Sequence, residues 1–394
     1  MLKEEKMIAV IADDFTGAAE IGGIGLRRGM KVLIETSVDA VEGVDLLVLA
    51  TETRSMPANL AKKEIEKVTR QLMELNPKYI FKKLDSVLRG NVYAELTSQK
   101  TASGKQRVIM VPANPHFNRI IKDGVYYVGG VPLAETSFAH DPEFPVKYSD
   151  VREIIGNNAG DVVVKNVNDQ LPDQGIIIGN VLTVENLASW ADKADGQSVL
   201  AGGSGFFDAV LQKDFPVKSE GNNLDLVPGK HALFVLGSTF PKDDAMMGKF
   251  KEAGIEIINL NKEIFQKQDT PSRSLIVLAD RIVTAIRENR RVAVTTICSD
   301  QNTKISAETI RKNVSRVVRK VFDQVEIDDL FIEGGATASL ILCHLEIKQL
   351  TPFRELSFGV IQMHTERYPR LTVTTKPGSY TWPEILTGKE LTKL

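Results

Sequence analysis

Met7–Ala12 is an unbroken run of β-branched and small apolar residues, the pattern of a strand covered on both faces. Gly17–Arg28 then reads as a helix and Lys31–Glu35 and Asp45–Ala50 as strands. Asn59–Leu75 carries apolar residues at helical spacing and stops at Asn76-Pro77. Tyr79–Phe81, Val108–Val111, Asp161–Val164, Gly175–Gly179 and Ser198–Ala201 read as further strands, and Val184–Ala191 and Phe206–Leu211 as helices. Phe215–Lys230 is polar and broken by Pro216, Gly221-Asn222-Asn223 and Pro228-Gly229, the composition of a linker. The alternation then restarts. Ala232–Leu236, Ile255–Leu260, Arg291–Thr296, Leu330–Glu333 and Thr372–Thr375 are strand-like; Pro241–Ala253, Ser274–Asn289, Thr309–Phe322 and Thr337–Leu345 are helix-like. This predicts an α/β protein of two domains, 1–220 and 231–394, each a mainly parallel sheet flanked by helices.

Composition narrows the classes. The 394 residues are 43% hydrophobic and 25% charged, enough to bury large cores without cross-links. A net charge of −2 supplies no basic field for nucleic acid. Cys298 and Cys343 make no disulfide framework, fit a reducing cytoplasm, and lie in apolar segments that predict buried thiols. No apolar stretch is long enough to span a bilayer, so a cytoplasmic protein is expected, with no membrane partner. The histidines lack metal-site spacing; His116 and His140, on polar loops, are available for acid–base work.

The chemistry gathers where strands hand over to helices. Ala12-Asp13-Asp14-Phe15-Thr16-Gly17-Ala18 places two carboxylates in such a turn. One is expected to cap the helix and the other to face a substrate as proton acceptor; Asp13 is given the first task and Asp14 the second, with the reverse order left open. Gly22, Gly23, Gly25 and Gly29 follow too late for a dinucleotide fingerprint and suit close helix packing instead. Arg54, after the third strand, can fork onto a carboxylate. Lys82-Lys83-Leu84-Asp85-Ser86-Val87-Leu88-Arg89-Gly90-Asn91 mixes charge, hydroxyl and amide groups, which suits a hydroxylated acid; Asp85 is a second candidate base. Gly202-Gly203-Ser204-Gly205, Gly237-Ser238-Thr239 and Gly334-Gly335-Ala336-Thr337-Ala338 each put N–H groups at a helix start, and Lys376-Pro377-Gly378-Ser379 follows the last strand. There is no Gly-x-x-x-x-Gly-Lys-Ser/Thr motif.

Taken in order, these motifs resemble the four-carbon acid sugar kinase family. The resemblance implies an N-terminal sugar-acid domain, a C-terminal nucleotide domain and an active site in the cleft between them. It implies transfer of the γ-phosphate of ATP, with Mg²⁺, to the 4-hydroxyl of threonate, erythronate or 3-oxo-tetronate; Lys83-x-Asp85-Ser86-x-Leu88-Arg89-Gly90-Asn91 looks closer to the threonate and erythronate kinases. By resemblance Asp13, Asp14, Arg54, Lys83, Leu84, Asp85, Ser86, Arg89 and Asn91 meet the acid, and Ser238, Gly334, Gly335, Ala336, Thr337 and Gly378 meet ATP. The Mg²⁺ ligands stay unassigned, and a homodimer is left open. Two departures stand on the nucleotide side. Lys376-Pro377-Gly378-Ser379-Tyr380-Thr381 lacks the glycine that usually follows the aromatic, and Ser357-Phe358-Gly359-Val360-Ile361 stands where a Pro-Gly-Val-Pro loop is usual. A 3-oxo-tetronate kinase and a non-catalytic sugar-acid sensor remain the alternatives.

Overall fold

The computed structural model describes residues 7–38, 43–141, 143–156, 160–217, 229–237, 244–260, 273–288, 290–295 and 306–383. The chain forms two compact units, Met1–Glu220 and Gly221–Leu394. No described helix is long and apolar enough to cross a membrane.

The N-terminal unit runs β1 (Ile8–Ala12), α1 (Phe15–Arg27), β2 (Val32–Glu35), β3 (Leu46–Ala50), α2 (Ala58–Glu74), β4 (Ile80–Lys83), α3 (Val92–Ala102) and β5 (Arg107–Val111). It continues through β6 (Arg119–Lys122), β7 (Val125–Val128), β8 (Val131–Pro132), α4 (Val151–Ile154), β9 (Val162–Lys165), β10 (Gly175–Gly179), α5 (Val184–Ala191), β11 (Ser198–Gly202) and α6 (Ser204–Leu211). The main sheet is parallel, in the order β2-β3-β1-β4-β11-β5-β10-β9. Strands β2 and β3 lie on one side of β1 and β4 on the other, so the winding reverses at β1, where open α/β sheets bind ligands beyond the strand ends. Ala12 is level with Ala50 of β3 and with Lys83 of β4, so three turns emerge side by side.

Two packing features hold this arrangement. At Gly25 a Cβ would stand 2.6 Å from Leu46 and 2.8 Å from Val32, so glycine lets α1 lie against the sheet, as the sequence suggested. Arg28, only 1% exposed, closes the unit on itself. It donates to Asp208 Oδ1 at 3.0 Å, to Gln212 Oε1 at 3.0 Å and to the carbonyl of Phe215.

The small antiparallel sheet β6-β7-β8 was not apparent from apolar periodicity. Its signals are turn residues: Asp123 and Gly124, at φ 51° and 81°, make the left-handed pair that closes a tight hairpin, and Gly129-Gly130 closes the next.

The C-terminal unit runs β12 (Ala232–Leu236), α7 (Asp244–Glu252), β13 (Ile255–Asn259), α8 (Arg273–Arg287), β14 (Arg291–Thr295), α9 (Ala307–Phe322), β15 (Asp329–Glu333) and α10 (Gly335–His344). It ends with β16 (Gln349–Ser357), β17 (Val360–His364) and β18 (Thr372–Lys376). Its order is β13-β14-β12-β15-β18-β17-β16, parallel except for β17 and β16. The winding reverses at β12, as it does at β1, and Leu236, Glu333 and Lys376 end level with one another. Phe234 and Phe331 stack at 4.3 Å, with Trp382 edge-on to both. The antiparallel pair β16–β17 is a second departure from the predicted pattern. Pro352 and two register shifts break the alternation that would have marked it.

Candidate active site

Asp13 and Asp14 follow β1, Thr51–Met56 follows β3, and Leu84–Asn91 follows β4. Arg54 joins them. Its Nε and Nη2 donate to the two oxygens of Asp13 at 2.8 and 3.0 Å, and Nη1 donates to Asp14 Oδ2 at 3.0 Å and lies 3.4 Å from Asp85 Oδ1. The guanidinium loses favour by burial, but Asp13, Asp14 and Asp85 more than restore it and hold it firmly charged. Removing one partner from a buried cluster of this kind typically costs about 3–5 kcal/mol.

The two adjacent aspartates divide their work differently from the sequence expectation. Asp14 is the cap: its Oδ1 accepts from Gly17 N at 2.8 Å and its Oδ2 from Thr16 Oγ1 at 2.8 Å. Its backbone is extended, at φ −146° and ψ 165°, which turns the carboxylate back over the first helical N–H groups. Asp13 instead receives the Arg54 fork.

The Leu84–Asn91 loop is built around Asp85. Its Oδ2 accepts from Val87 N, Arg89 N and Arg89 Nε at 3.1, 3.0 and 2.9 Å, and its Oδ1 from Arg89 Nη2 at 2.8 Å. Burial pushes this carboxyl up, but Arg89 and Arg54 overcome burial and hold it well below the usual carboxylate range. It is therefore a weak base. Asn91 Nδ2 donates to Thr53 O at 2.8 Å and Met56 O at 2.7 Å, clamping the turn that carries Arg54. Gly90, at φ 90°, packs on the same turn, where a Cβ would stand 2.8 Å from Arg54 Cγ and 3.2 Å from its Cα. Arg89 Nη1 also reaches Asp141 at 2.8 Å, and Tyr126 donates to Ser86 O at 2.6 Å, so β7 and the Asp141 loop brace the site. Lys83 is buried, donating to Leu84 O at 2.9 Å and pairing with Glu20 at 3.3 Å. Leu84 itself is a core residue whose N–H donates to Gly202 O. Both His116 and His140 are exposed.

Glu52 belongs to this cluster and was missed by sequence reasoning. It holds a left-handed backbone, φ 55° and ψ 22°, which a non-glycine residue seldom adopts. Its Oε1 is buried without a partner. Burial foremost, then Asp14 and Asp13, push its carboxyl well above the usual range, against Arg54 and the N–H of Phe15. An acid whose folded-state pKa is raised gives stability that is full below its unfolded value and is lost as pH rises through the folded one. Glu52→Gln should therefore melt later than wild type at pH 8, by roughly 2–4 °C for each ~1 kcal/mol of relieved repulsion. The gap should close toward pH 4, and a gap that widens on acidification would refute this account.

In the C-terminal unit Gly334, at φ 94°, starts α10 without a side-chain cap, and its N–H donates to Lys376 O at 2.8 Å. At Gly237 a Cβ would stand 2.4 Å from Thr337 Oγ1, so these two turns pack together. Lys376, 2% exposed, pairs with Glu333 at 3.3 Å and donates to Pro377 O at 2.9 Å, which fixes the turn carrying Gly378. Tyr380 lies on the β16–β17 hairpin: a Cβ at Gly359 would stand 2.8 Å from its ring. Ser238 falls outside the described residues, as do residues 218–228 of the expected linker.

Glycines 202 and 203 are also required by packing, since Cβ atoms there would stand 2.1 Å from Val111 O and 2.7 Å from Pro112 O. One further expectation is corrected. Cys343 is exposed, because Ile341 and Leu342 take the inward face of α10; Cys298 lies outside the described residues.

Fold and site together define a protein of two α/β units, each with loop chemistry at a reversal in its sheet. Residues 8–210 match the sugar-binding N-terminal domain and residues 266–380 the nucleotide-binding C-terminal domain. The chain belongs to the family built from these two domains, and its relatives are sugar-acid kinases. A D-threonate kinase of Salmonella typhimurium is 26% identical over 370 residues, 85% of each chain. A D-erythronate kinase of Heliobacterium modesticaldum is 26% identical over 254 residues, 61% of this chain and 55% of that one. Among solved structures, a Salmonella typhimurium LT2 protein superposes with a TM-score of 0.75 at 18% identity, over 98% of this chain and 99% of that one. A Haemophilus influenzae protein gives 0.71 at 18%, over 96% and 98%.

Proposed function

We propose that the chain is an ATP-dependent kinase that phosphorylates the 4-hydroxyl of a four-carbon sugar acid of the D-threonate or D-erythronate type. The observation that carries this reading is the Arg54 guanidinium, which draws carboxylates from the ends of β1 and β4 into one cluster within the sugar-binding match. Asp14, which accepts three hydrogen bonds against four on Asp85, is given both tasks, cap of α1 and proton acceptor. Asp85, saturated by donors and held ionised, is a positioning residue, and so is Asn91. Arg54 spends hydrogen bonds from three of its five N–H groups on Asp13 and Asp14, leaving donor capacity for an oxygen of the acid.

The C-terminal unit suits a nucleotide: the uncapped start of α10 offers backbone N–H groups to phosphate, Gly237 leaves no room for a side chain beside Thr337, and Gly334 holds a φ of 94° that favours glycine. ATP supplies the γ-phosphoryl group, and Mg²⁺ on its phosphates neutralises the charge that develops during transfer. Mg²⁺ of this kind is usually held by phosphate and water oxygens with one or two carboxylates.

A coupled ADP-release assay with D-threonate, D-erythronate and 3-oxo-tetronate tests the reading, with phosphorus NMR of the product locating the ester. Faster turnover of 3-oxo-tetronate would replace the substrate assignment. A tetronate that raises the melting temperature without ADP release would point to a sensor. For the nucleotide half, Gly335→Val should weaken binding of a non-hydrolysable ATP analogue by about tenfold or more, because a side chain would block backbone approach to phosphate. Calorimetry showing wild-type affinity in the folded variant would remove this turn from the site.

A further inference from the structure

A guanidinium cannot shed its charge, so burying one without a carboxylate is costly unless an anion comes to meet it. Arg119 stands in that position. It opens β6, is 8% exposed, and makes no ion pair among the described residues. Its Nε is sealed off without a partner. Nη1 and Nη2 are not sealed off, and they too donate to no described group, so the fork ends unpaired in accessible space. Arg54, Arg89 and Lys83, at ends of the same sheet, are each matched by carboxylates.

The pairing of β6 says which way Arg119 faces. It exchanges both backbone hydrogen bonds with Asn114, at 2.9 and 3.2 Å, so the two side chains share one face of that bridge. Ile121 and its partner Tyr126 continue the face, both fully buried, while Lys122 turns out to solvent. This face covers the carboxyl ends of the main sheet. Tyr126 donates to Ser86 O in the loop built around Asp85, and Asn114 Nδ2 lies 3.5 Å from Ser204 Oγ at the start of α6. Burial pushes the Tyr126 phenol up, Arg119 opposes the rise and Asp85 adds to it, so Arg119 and the Asp85 loop flank one phenol. Gly203 gives α6 no side-chain cap, which leaves the positive end of that helix beside Ser204.

A sugar acid brings one carboxylate to this sheet. At Arg54 it would meet Asp13, Asp14 and Asp85, which already hold that guanidinium, and like charges so close repel. Arg119 offers the same anion an empty fork. We propose that Arg119 is the carboxylate-binding residue of the acid site, with Ser204 Oγ beside it, and that the spare N–H groups of Arg54 take a hydroxyl oxygen. The end of β5 stands three strands from β1, roughly 14 Å at ordinary spacing, so the acid lies across the ends of β11 and β4 with its hydroxyl end toward Asp14. This rests on the sugar-acid kinase reading and adds its specificity: a hydroxy acid is chosen over the neutral polyol.

Calorimetry on the full chain, with D-threonate and D-erythronate beside threitol and erythritol, tests it. The polyols carry a hydroxymethyl group where the acids carry the carboxylate. Wild type should bind an acid about 10²-fold tighter than the matching polyol, and Arg119→Met should erase that preference without weakening the polyol. Arg119→Lys keeps the charge but not the fork and should weaken the acid about tenfold. In turnover assays both variants should raise KM for the acid more than they lower kcat. Without ligand, Arg119→Met should melt no lower than wild type, because it removes a buried charge that has no partner. A large fall in melting temperature with acid and polyol weakened alike would make Arg119 structural and overturn the proposal. Unchanged acid affinity would do the same, and so would a loss confined to a non-hydrolysable ATP analogue, which would assign the fork to phosphate. Should Arg119→Met not fold, Arg119→Lys carries the same comparison. Acid binding through Arg119 with no ADP release would sink the kinase reading and leave this inference standing; no preference for acid over polyol in wild type would sink this inference whatever the turnover.

Discussion

Asp14→Asn is expected to lower kcat by about 10²–10⁴-fold, the usual scale of general-base assistance, in a protein that still folds and still binds the acid. Asparagine keeps the shape of the side chain and caps a helix about as well as aspartate, so the bond from Gly17 N survives. What disappears is the basicity and the charge facing Arg54 Nη1. Asp13→Asn is the informative partner. It halves the acceptor pair for the Arg54 fork and leaves the cap intact, so it should destabilise the N-terminal unit and raise KM for the acid more than it lowers kcat. Stopped-time assays at saturating Mg-ATP and acid, beside thermal melts, separate the two. Wild-type kcat in both variants would make the pair purely structural.

Gly90→Val should be nearly as damaging without touching a charged group. The left-handed backbone costs a β-branched residue on the order of 1–2 kcal/mol, and the new side chain would collide with the backbone of Arg54. A displacement near 1 Å is enough to cost about 10²-fold in rate where catalytic groups must be aligned. The expected result is a fall of that size in kcat/KM for the acid, with nucleotide affinity unchanged. Gly90→Ala should give a smaller loss of the same kind. If Gly90→Val keeps full kcat/KM, the turn does not position Arg54.

These experiments also mark how far the sequence could be read. Asp13-Asp14, Arg54 and the Lys83–Asn91 run were visible because each follows an apolar strand, and parallel sheets gather such turns. Which aspartate caps was not visible, because that depends on the extended backbone of Asp14 and on which carboxylate the Arg54 fork meets. Asn91 looked like a substrate contact. Its carbonyl partners at Thr53 and Met56 come from another strand's turn and have no local sequence signature. Glu52 resembled a solvated loop residue. Only its left-handed backbone and its burial against Asp14 set it apart, and a carboxylate between two threonines announces neither. On the nucleotide side the Gly334 turn was legible from composition, whereas the buried Lys376–Glu333 pair behind it joins residues of different strands.

Arg28 bears on how such a protein can be remodelled over evolutionary time. The carbonyl it holds at Phe215 is among the last described groups before residue 218, and its other partners lie on α6 and at its C-terminal cap, Gln212. The first unit is thus fastened shut by a residue near its own beginning, before the chain goes on to the second. A gene that exchanged one nucleotide-binding half for another at this seam would leave every contact of that fastening in place. The half that matches the sugar-binding domain can accordingly be inherited as a cassette.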